Sequence, residues 1–167
     1  MSKRMLFASI FCGLIAIAPQ PMSAATPSLA GSWEFTLIAT TPTATPPVEI
    51  PGLATFTTDG SVIETDGSEF APIPSSTVAV KASTPGHGIW QLANTPETLY
   101  VHYISLVLDA DGALYARNVS TMFLTMDTTT GNSFKGTYTT EQTIGTLTRI
   151  LSSGTVTGQL IPHIPLP

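Results

Sequence analysis

Apolar and polar residues alternate from Gly31 to Leu37, the first patterned stretch of the chain. Trp33, Phe35 and Leu37 fall on one side, and the residues between them are polar. A period of two is typical of a β-strand that buries one face. The pattern therefore predicts an opening strand over 31–39 with these three side chains in the core.

The same alternation recurs along the chain, and no long stretch shows the 3.6-residue period of an amphipathic helix. Two proline-rich segments, 40–51 and 66–86, interrupt it and are predicted to be loops. The Asp59-Gly60 pair between alternating runs predicts a hairpin with a type I′ turn. Predicted strands cover 31–39, 52–58, 61–65, 87–93, 98–108, 113–126, 133–141 and 143–151, with 152–161 as a ninth strand or the closing one.

Strands joined by short turns build an antiparallel meander, and closing the meander removes the exposed edges that invite aggregation. We therefore predict an all-β fold, a single up-and-down barrel of eight or nine antiparallel strands. A barrel of eight strands is just wide enough to be filled by side chains or to hold one small ligand. The barrel domain is expected to span 26–161, followed by a proline-rich tail over 162–167.

The first 25 residues have the features of a cleaved signal peptide. Lys3 and Arg4 precede 13 apolar residues, Met5 to Ile17, which are too few to span a bilayer. Small residues at Ser23-Ala24-Ala25 then offer a cleavage site after about Ala25. We expect a secreted or periplasmic protein with no stable membrane insertion after cleavage.

Charge and cysteine content narrow the partners and the chemistry. Loss of the signal would leave four basic residues against eleven acidic ones, a net charge of −7. Nucleic acid and anionic membrane surfaces are disfavoured, because the chain has no basic patch. The only cysteine, Cys12, lies in the signal, so the mature chain would have no disulfide. We expect a monomer or small oligomer without a cofactor.

The tripeptide Gly31-Ser32-Trp33 resembles the G-x-W signature of lipocalins and related calycin barrels. Length, strand number and the secretion signal fit the same resemblance, whereas the second lipocalin motif, T-D-Y, and a C-terminal amphipathic helix are missing from the sequence. The G-x-W start, the D-G hairpin and the segment Pro85-Gly86-His87-Gly88-Ile89-Trp90 are also similar to a group of small secreted bacterial proteins. The lipocalin resemblance implies that Trp33 packs across the closed end of the barrel with an arginine, here Arg149, over its ring.

The predicted inward faces are rich in aromatic and methionine side chains, which are typical of ligand pockets. We therefore expect a lipocalin-like protein that binds a small apolar or amphipathic molecule in its lumen, rather than an enzyme. The same side chains would also fill the barrel of a structural envelope protein. The candidate ligand-binding residues are Trp90, Tyr100, His102, Asn118, Met122, Tyr138 and His87.

Three polar candidates leave alternatives open. His87, between two glycines, is either a rim residue that acts on a ligand or a solvated residue at a bulge. His102 either lines the lumen or is a satisfied interior or partly exposed histidine. If one of them faced an open cavity, the barrel could be an isomerase or cyclase that uses it as acid or base. Either Arg117 or Asn118 must face inward by alternation, and there it needs a hydrogen-bond partner.

Metal binding has little support in the sequence. The three histidines lack the close spacing of zinc ligands. Asp109-Ala110-Asp111-Gly112 begins like a calcium loop, but Ser120 stands where the loop needs a glutamate. A hairpin turn is therefore predicted at this segment.

Overall fold

A computed structural model describes residues 27–41, 43, 46–67, 80–93 and 98–162, and these form strands joined by turns. The predicted signal peptide and the end of the tail lie outside these residues. Within them, no helix is long and apolar enough to cross a membrane. The strands are β1 (Gly31–Thr41), β2 (Val48–Phe56), β3 (Ser61–Asp66), β4 (Val80–Ser83), β5 (Gly86–Leu92), β6 (Thr98–Asp109), β7 (Leu114–Met126), β8 (Ser133–Ile144) and β9 (Leu147–Leu160).

Eight of these strands close into a barrel. They pair antiparallel in the order β6-β5-β3-β2-β1-β9-β8-β7, and β7 pairs back with β6. The first and last strands meet where Trp33 opposes Leu160. The remaining strand, β4, lies outside the ring. It pairs with β6 at residues 107–109, whereas β5 pairs with β6 at residues 99–104. The predicted all-β, antiparallel up-and-down barrel is confirmed.

Several strand boundaries differ from the prediction. The chain turns at Gly145-Thr146, so β8 continues to Ile144 and the two last predicted segments are one strand, β9. Strand β2 begins inside the predicted loop, but its pairing with β3 starts at Gly52, directly after Pro51. The proline, which has no N–H to donate, therefore lies just beyond the end of that ladder. The second predicted loop contains β4, which is too short to show an alternating pattern.

The hairpin at Asp59-Gly60 is present, but its turn is not type I′. Gly60 has a φ of 92°, and no described residue other than glycine has a positive φ. The Gly60 N–H donates to the carbonyl of Thr57 at 3.2 Å, and the Thr57 N–H donates to the carbonyl of Ser61 at 2.9 Å. This is the pattern of a type I turn followed by a left-handed glycine. Hydrogen bonds from the Thr57 hydroxyl and the Ser61 N–H lower the pKa of Asp59, whose carboxylate accepts both.

The largest fully buried side chain among the described residues, that of Trp33, lies at the end where β1 begins and β9 ends, which we call the lower end. Trp33 is 1% exposed there, and its indole N–H donates to the carbonyl of Leu29 at 2.7 Å. Leu29 itself is fully buried, although it precedes the first strand. The ring of Phe134 lies 5.1 Å from the ring of Trp33, centroid to centroid. The residues just before β1 are therefore part of the folded core.

Candidate functional site

The lumen is filled at the lower end, a region we call the floor. A void of about 10 Å³ remains above it, bordered by Phe35, Met122, Phe134, Glu64 and Tyr103 among others. A void of that size holds about one water molecule. The inward side chains of the floor are large and apolar: Trp33, Phe56, Val62, Leu99, Leu124, Met126 and Phe134.

Toward the opposite, upper end, the inward side chains combine short residues with larger ones, among them Leu37, Ile50, Tyr103 and Gln142, and more of them are polar than at the floor. We call this part the upper lumen. In an eight-stranded barrel the side chains decide how much of the interior stays free. The inward residues of the upper lumen include Ala39, Ser105, Val107, Ala116, Ser120, Thr140 and Ser152.

A row of hydroxyl groups crosses four neighbouring strands in the upper lumen. Tyr103, Ser120, Thr140 and Ser152 are adjacent in the registers of β6, β7, β8 and β9. The hydroxyls of Ser120 and Thr140 lie 2.8 Å apart. The Tyr138 hydroxyl lies 2.8 Å from that of Ser152. We call these five residues the hydroxyl row; it provides both donors and acceptors to the lumen.

A second polar row lies one position nearer the upper end. Arg149 donates from Nη2 to Oε1 of Gln142 at 3.3 Å, and Gln142 donates from Nε2 to Oδ1 of Asn118 at 3.2 Å. Gln142 is 1% exposed, whereas Arg149 is exposed to solvent at the rim. Hydrogen bonding satisfies the buried amide, which would otherwise destabilise the fold by about 1–3 kcal/mol.

Two carboxyl groups stand on the opposite wall. Glu64 and Asp66 share the inward face of β3, which is four strands from β8 in both directions around the ring. Glu64 is 4% exposed and faces Gly86 in the register of β5. A methyl group at Gly86 would lie 2.7 Å from Oε2 of Glu64 and 2.5 Å from Cδ2 of Tyr103. The Glu64 carboxyl and the Tyr103 ring therefore both border the space that a side chain at Gly86 would occupy.

The carboxyls of β3 affect the pKa values of two tyrosines in the lumen. Burial raises the pKa of Tyr103 well above its ordinary value of 10.0, and the charges of Glu64 and Asp66 raise it further, against a lowering hydrogen bond with Ser120. Burial also raises the pKa of Tyr138, and Asp66 adds to this effect while the hydrogen bond with Ser152 opposes it. Both phenols therefore stay protonated at neutral pH and present neutral hydroxyls to the lumen.

Four of the seven predicted ligand residues are on the inward face. Asn118 lies in the upper lumen and accepts the hydrogen bond from Gln142. Tyr138 belongs to the hydroxyl row, and Met122 borders the small void between the upper lumen and the floor. Trp90 packs against the core, and its indole N–H donates to the carbonyl of Thr57 at 2.8 Å. A ligand contact by any of them remains a prediction.

Tyr100 and His102 lie on the outer face, so the expectation that Tyr100 lines the lumen is wrong. Their neighbours Leu99, Val101 and Tyr103 are the buried residues of β6. Tyr100 stacks on His102 outside the barrel, with ring centroids 6.1 Å apart and an interplanar angle of 8°. Both faces of this strand are largely apolar, so alternation could not indicate which one is turned inward.

His87 is exposed on the same outer surface, where it opposes Ile104 in the register of β5 and β6. The Nδ1 atom of His102 lies 3.3 Å from the hydroxyl of Thr121, also on the outer face. Neither histidine faces the lumen. Their placement gives no support to the isomerase or cyclase alternative, which required one of them to face an open cavity.

The predicted stacking of Arg149 over Trp33 is wrong. Trp33 pairs with Leu160, and Arg149 comes eleven residues earlier in the same strand. At about 3.3 Å per residue, the two positions are separated by roughly 35 Å along β9. The prediction divided β9 into two strands. Because β9 is one long strand, Arg149 lies at the opposite end of the barrel from Trp33.

The sequence analysis missed Glu64, Tyr103 and Gln142 as lumen residues. For Glu64 a usable signal existed, because the hairpin at Asp59-Gly60 pairs β3 with the strand of Ala54 and Phe56. Both of those residues are buried, and Ala54 opposes Glu64 directly. Gln142 keeps the inward alternation of Phe134 and Tyr138 along β8, but it lies just beyond Glu141, where the predicted strand ended.

A second concave region, of about 410 Å³, lies on the outer face of β1, β8 and β9. Glu34, Thr36, Thr157 and Gln159 line it, and none of its polar residues is buried. Such a shallow polar surface is weakly suited to small-molecule binding, which favours enclosed and partly apolar sites. The lumen is therefore the stronger candidate.

No protein-family model, no curated protein and no solved structure matches the chain. The closed antiparallel barrel is consistent with a calycin-like fold. Among the described residues, no group of three or more histidine, cysteine, aspartate or glutamate side chains is arranged to hold a metal ion.

Proposed function

We propose that the protein binds a small amphipathic molecule in the upper lumen and acts as a secreted, lipocalin-like carrier. One observation carries the proposal: the inward side chains change from almost entirely apolar at the floor to a mixture of apolar and polar groups above it. Binding sites for small molecules combine an apolar surface with a few convergent polar groups. The upper lumen has this composition, with Met122 and Leu37 next to the hydroxyl row.

The filled floor limits how a ligand would lie. A void of about 10 Å³ has no space for an acyl chain. The apolar part of the ligand would therefore lie along Leu37, Ile50 and Val107 in the upper lumen. Its polar group would reach the hydroxyl row or the amide of Asn118. This orientation differs from that of a purely apolar ligand threaded down to Trp33.

A structural protein with a filled barrel is the second candidate. It is favoured by large apolar side chains that remain on the outer face of neighbouring strands. Ile63 is 54% exposed and Ile89 is 51% exposed on β3 and β5, and Phe123 is 50% exposed on β7. A module that functions through its outer surface would use such residues and would leave the lumen closed.

Titration with N-phenyl-1-naphthylamine, a neutral probe that fluoresces in apolar surroundings, separates the two candidates. The mature chain is expected to enhance its fluorescence with a stoichiometry of one, and decanol is expected to displace it. Ala116→Phe places a ring in the upper lumen, where Ala116 is 2% exposed, and should abolish this signal.

The matched control is Thr125→Phe, which adds the same ring to the exposed outer face of β7. It should bind the probe like the unaltered protein. Circular dichroism establishes that each variant is folded; if Ala116→Phe is not, Ser152→Leu replaces it. Failure of the folded, unaltered protein to bind the probe, or equal binding by all folded variants, would contradict the proposal.

A further inference from the structure

We propose that two copies of this protein associate through one side of the barrel's outer surface, the side formed by β3, β5, β6 and β7. The inference concerns the outside of the barrel, so it goes beyond the proposed binding in the lumen. We call this surface the outer apolar face. Its large apolar residues are Ile63, Ile89, Tyr100, Ile104, Leu106 and Phe123.

The residues of the outer apolar face are neighbours across four adjacent strands. Ile63 opposes His87, His87 opposes Ile104 in the next pairing, and Tyr100 opposes Phe123. The rings of Tyr100 and Phe123 lie 5.5 Å apart, centroid to centroid. Ile63 and Phe123 are 54% and 50% exposed. Contiguous apolar surface that stays exposed on a folded chain marks a site of interaction.

Strand β6 has the composition of a strand that is covered on both faces. Its buried residues Leu99, Val101 and Tyr103 belong to the core, while Ile104 and Leu106 lie outward. Near-continuous apolar runs are typical of strands that lie between two packed layers. An apolar sheet face is buried against a second layer in stable folds. The barrel interior is one layer, and a partner surface would provide the other.

The distribution of charge favours a second copy of the chain as the partner. The full chain has a net charge of −5. Nevertheless, the outward residues of β3, β5 and β6 up to Leu106, all of them described, include no aspartate, glutamate, lysine or arginine. Arg117 opposes Leu106 at the margin of the face.

The other side of the barrel differs, because the outward residues of β8, β9 and β1 include Glu34, Lys135 and Glu141 together with exposed threonines. Two copies that meet through their outer apolar faces keep these charges in water, and burying an unpaired charge would be costly. A basic partner would instead be attracted to the carboxylates elsewhere on the surface. The outer apolar face is therefore best matched by another copy of itself.

The size of the face indicates a weak, reversible dimer. Four neighbouring strands span about 15 Å, and the residues from Tyr100 to Leu106 extend about 20 Å along β6. A face of these dimensions is smaller than the roughly 800 Å² that each partner buries in a standard interface, and smaller interfaces belong to weak complexes. We therefore expect a two-fold dimer with a dissociation constant between about 10 and 100 µM.

Sedimentation velocity of the protein from about 5 µM to about 1 mM tests the inference, with monomer expected at the lowest concentration and mostly dimer at the highest. Ile89→Lys and Phe123→Lys place a charge on the face and should each weaken association at least about tenfold. A lysine also lowers the net negative charge, so long-range repulsion between copies cannot explain the loss. The matched control, Thr155→Lys on the exposed outer face of β9, should dimerise like the unaltered protein.

A single monomeric species up to about 1 mM overturns the inference. Association that both folded face variants retain, or that Thr155→Lys also loses, overturns it as well, because another surface would then be responsible. A monomer that binds phosphatidylcholine vesicles, with binding lost in Ile89→Lys, would assign the face to lipid and exclude the dimer. Circular dichroism establishes folding, and Phe123→Lys keeps the test available if Ile89→Lys does not fold. A dimer that fails to bind the naphthylamine probe would contradict the proposed function and leave this inference intact.

Discussion

At the scale of single residues, the Glu64 carboxyl and the Tyr103 ring both border the space left by the missing side chain at Gly86. The three residues come from three neighbouring strands, and no two of them are close in sequence. Each of them looks ordinary in its own strand. Only the folded barrel brings the carboxyl of Glu64 and the phenol of Tyr103 next to Gly86, which has no Cβ atom.

Gly86→Ala should therefore destabilise the protein by about 1–3 kcal/mol, the usual cost of forcing an extra methyl group into a packed site. The new methyl would lie 2.5 Å from the Tyr103 ring. The control is Gly67→Ala, where the nearest atom, Cδ of Pro51, would lie at an ordinary 3.4 Å. Urea unfolding of both variants measures the difference. Equal stability of the two would show that Gly86 is not tightly enclosed.

The tyrosines predict the behaviour of the fold at high pH. Burial raises the pKa of Tyr138, so the folded protein holds the phenolic proton at a pH where the unfolded chain has lost it. The resulting stabilisation is complete below pH 10.0 and is lost as the pH rises through the higher folded value. Absorbance at 295 nm should show that Tyr138→Phe removes a component that ionises above pH 10.0. Loss of a component that ionises below that pH would contradict the assignment.

At the scale of elements, alternation and turn residues predict where the strands lie better than they predict which face of each strand is turned inward. The strands of Trp33 and of Asn118 have one clearly apolar face, and their orientation followed from the pattern. In β6 both faces are apolar, and the choice between Tyr100 and Tyr103 depends on how the barrel closes. Tertiary pairing also decided the length of β9, because the Gly145-Thr146 turn lacks the Asn-Gly or Asp-Gly signal of a hairpin.

The candidate site was less predictable than the strands. Asn118, Met122 and Tyr138 could be identified from alternation within their own strands. The Asp59-Gly60 hairpin could have placed Glu64 on the inward face, but its position across the ring from β8 depends on how the barrel closes. Arg149 was assigned to the wrong end, since the assignment came from a family resemblance and not from the strand that carries it.

The segment before β1 is an element whose importance only the structure reveals. Leu29 is fully buried and its carbonyl holds the indole of Trp33. Leu29→Ala should destabilise the protein by about 2–5 kcal/mol, as buried leucine truncations do. Leu147→Ala, at a residue 69% exposed, should change stability by less than about 0.5 kcal/mol. Thermal unfolding followed by tryptophan fluorescence measures both; a small effect at Leu29 would mean that the segment is not part of the core.

At the scale of the whole molecule, the barrel interior has two parts that differ in composition. The floor provides the stability, with large apolar side chains packed around Trp33 and a void of about 10 Å³ above them. The upper lumen contains the hydroxyl row and, on β3, the carboxyls of Glu64 and Asp66. The sequence has a single cysteine, so no disulfide within the chain supports the fold and packing has to stabilise it. The packed floor is compatible with the binding role that we propose for the other end.

A crystal structure of the protein with bound decanol would test the proposed binding in the lumen directly. We predict density for one ligand in the upper lumen, its hydroxyl near the hydroxyl row, and a floor around Trp33 that is unchanged. An upper lumen filled by the protein's own side chains, with the ligand absent or lying on the outer face beside Ile63 and Ile89, would contradict it.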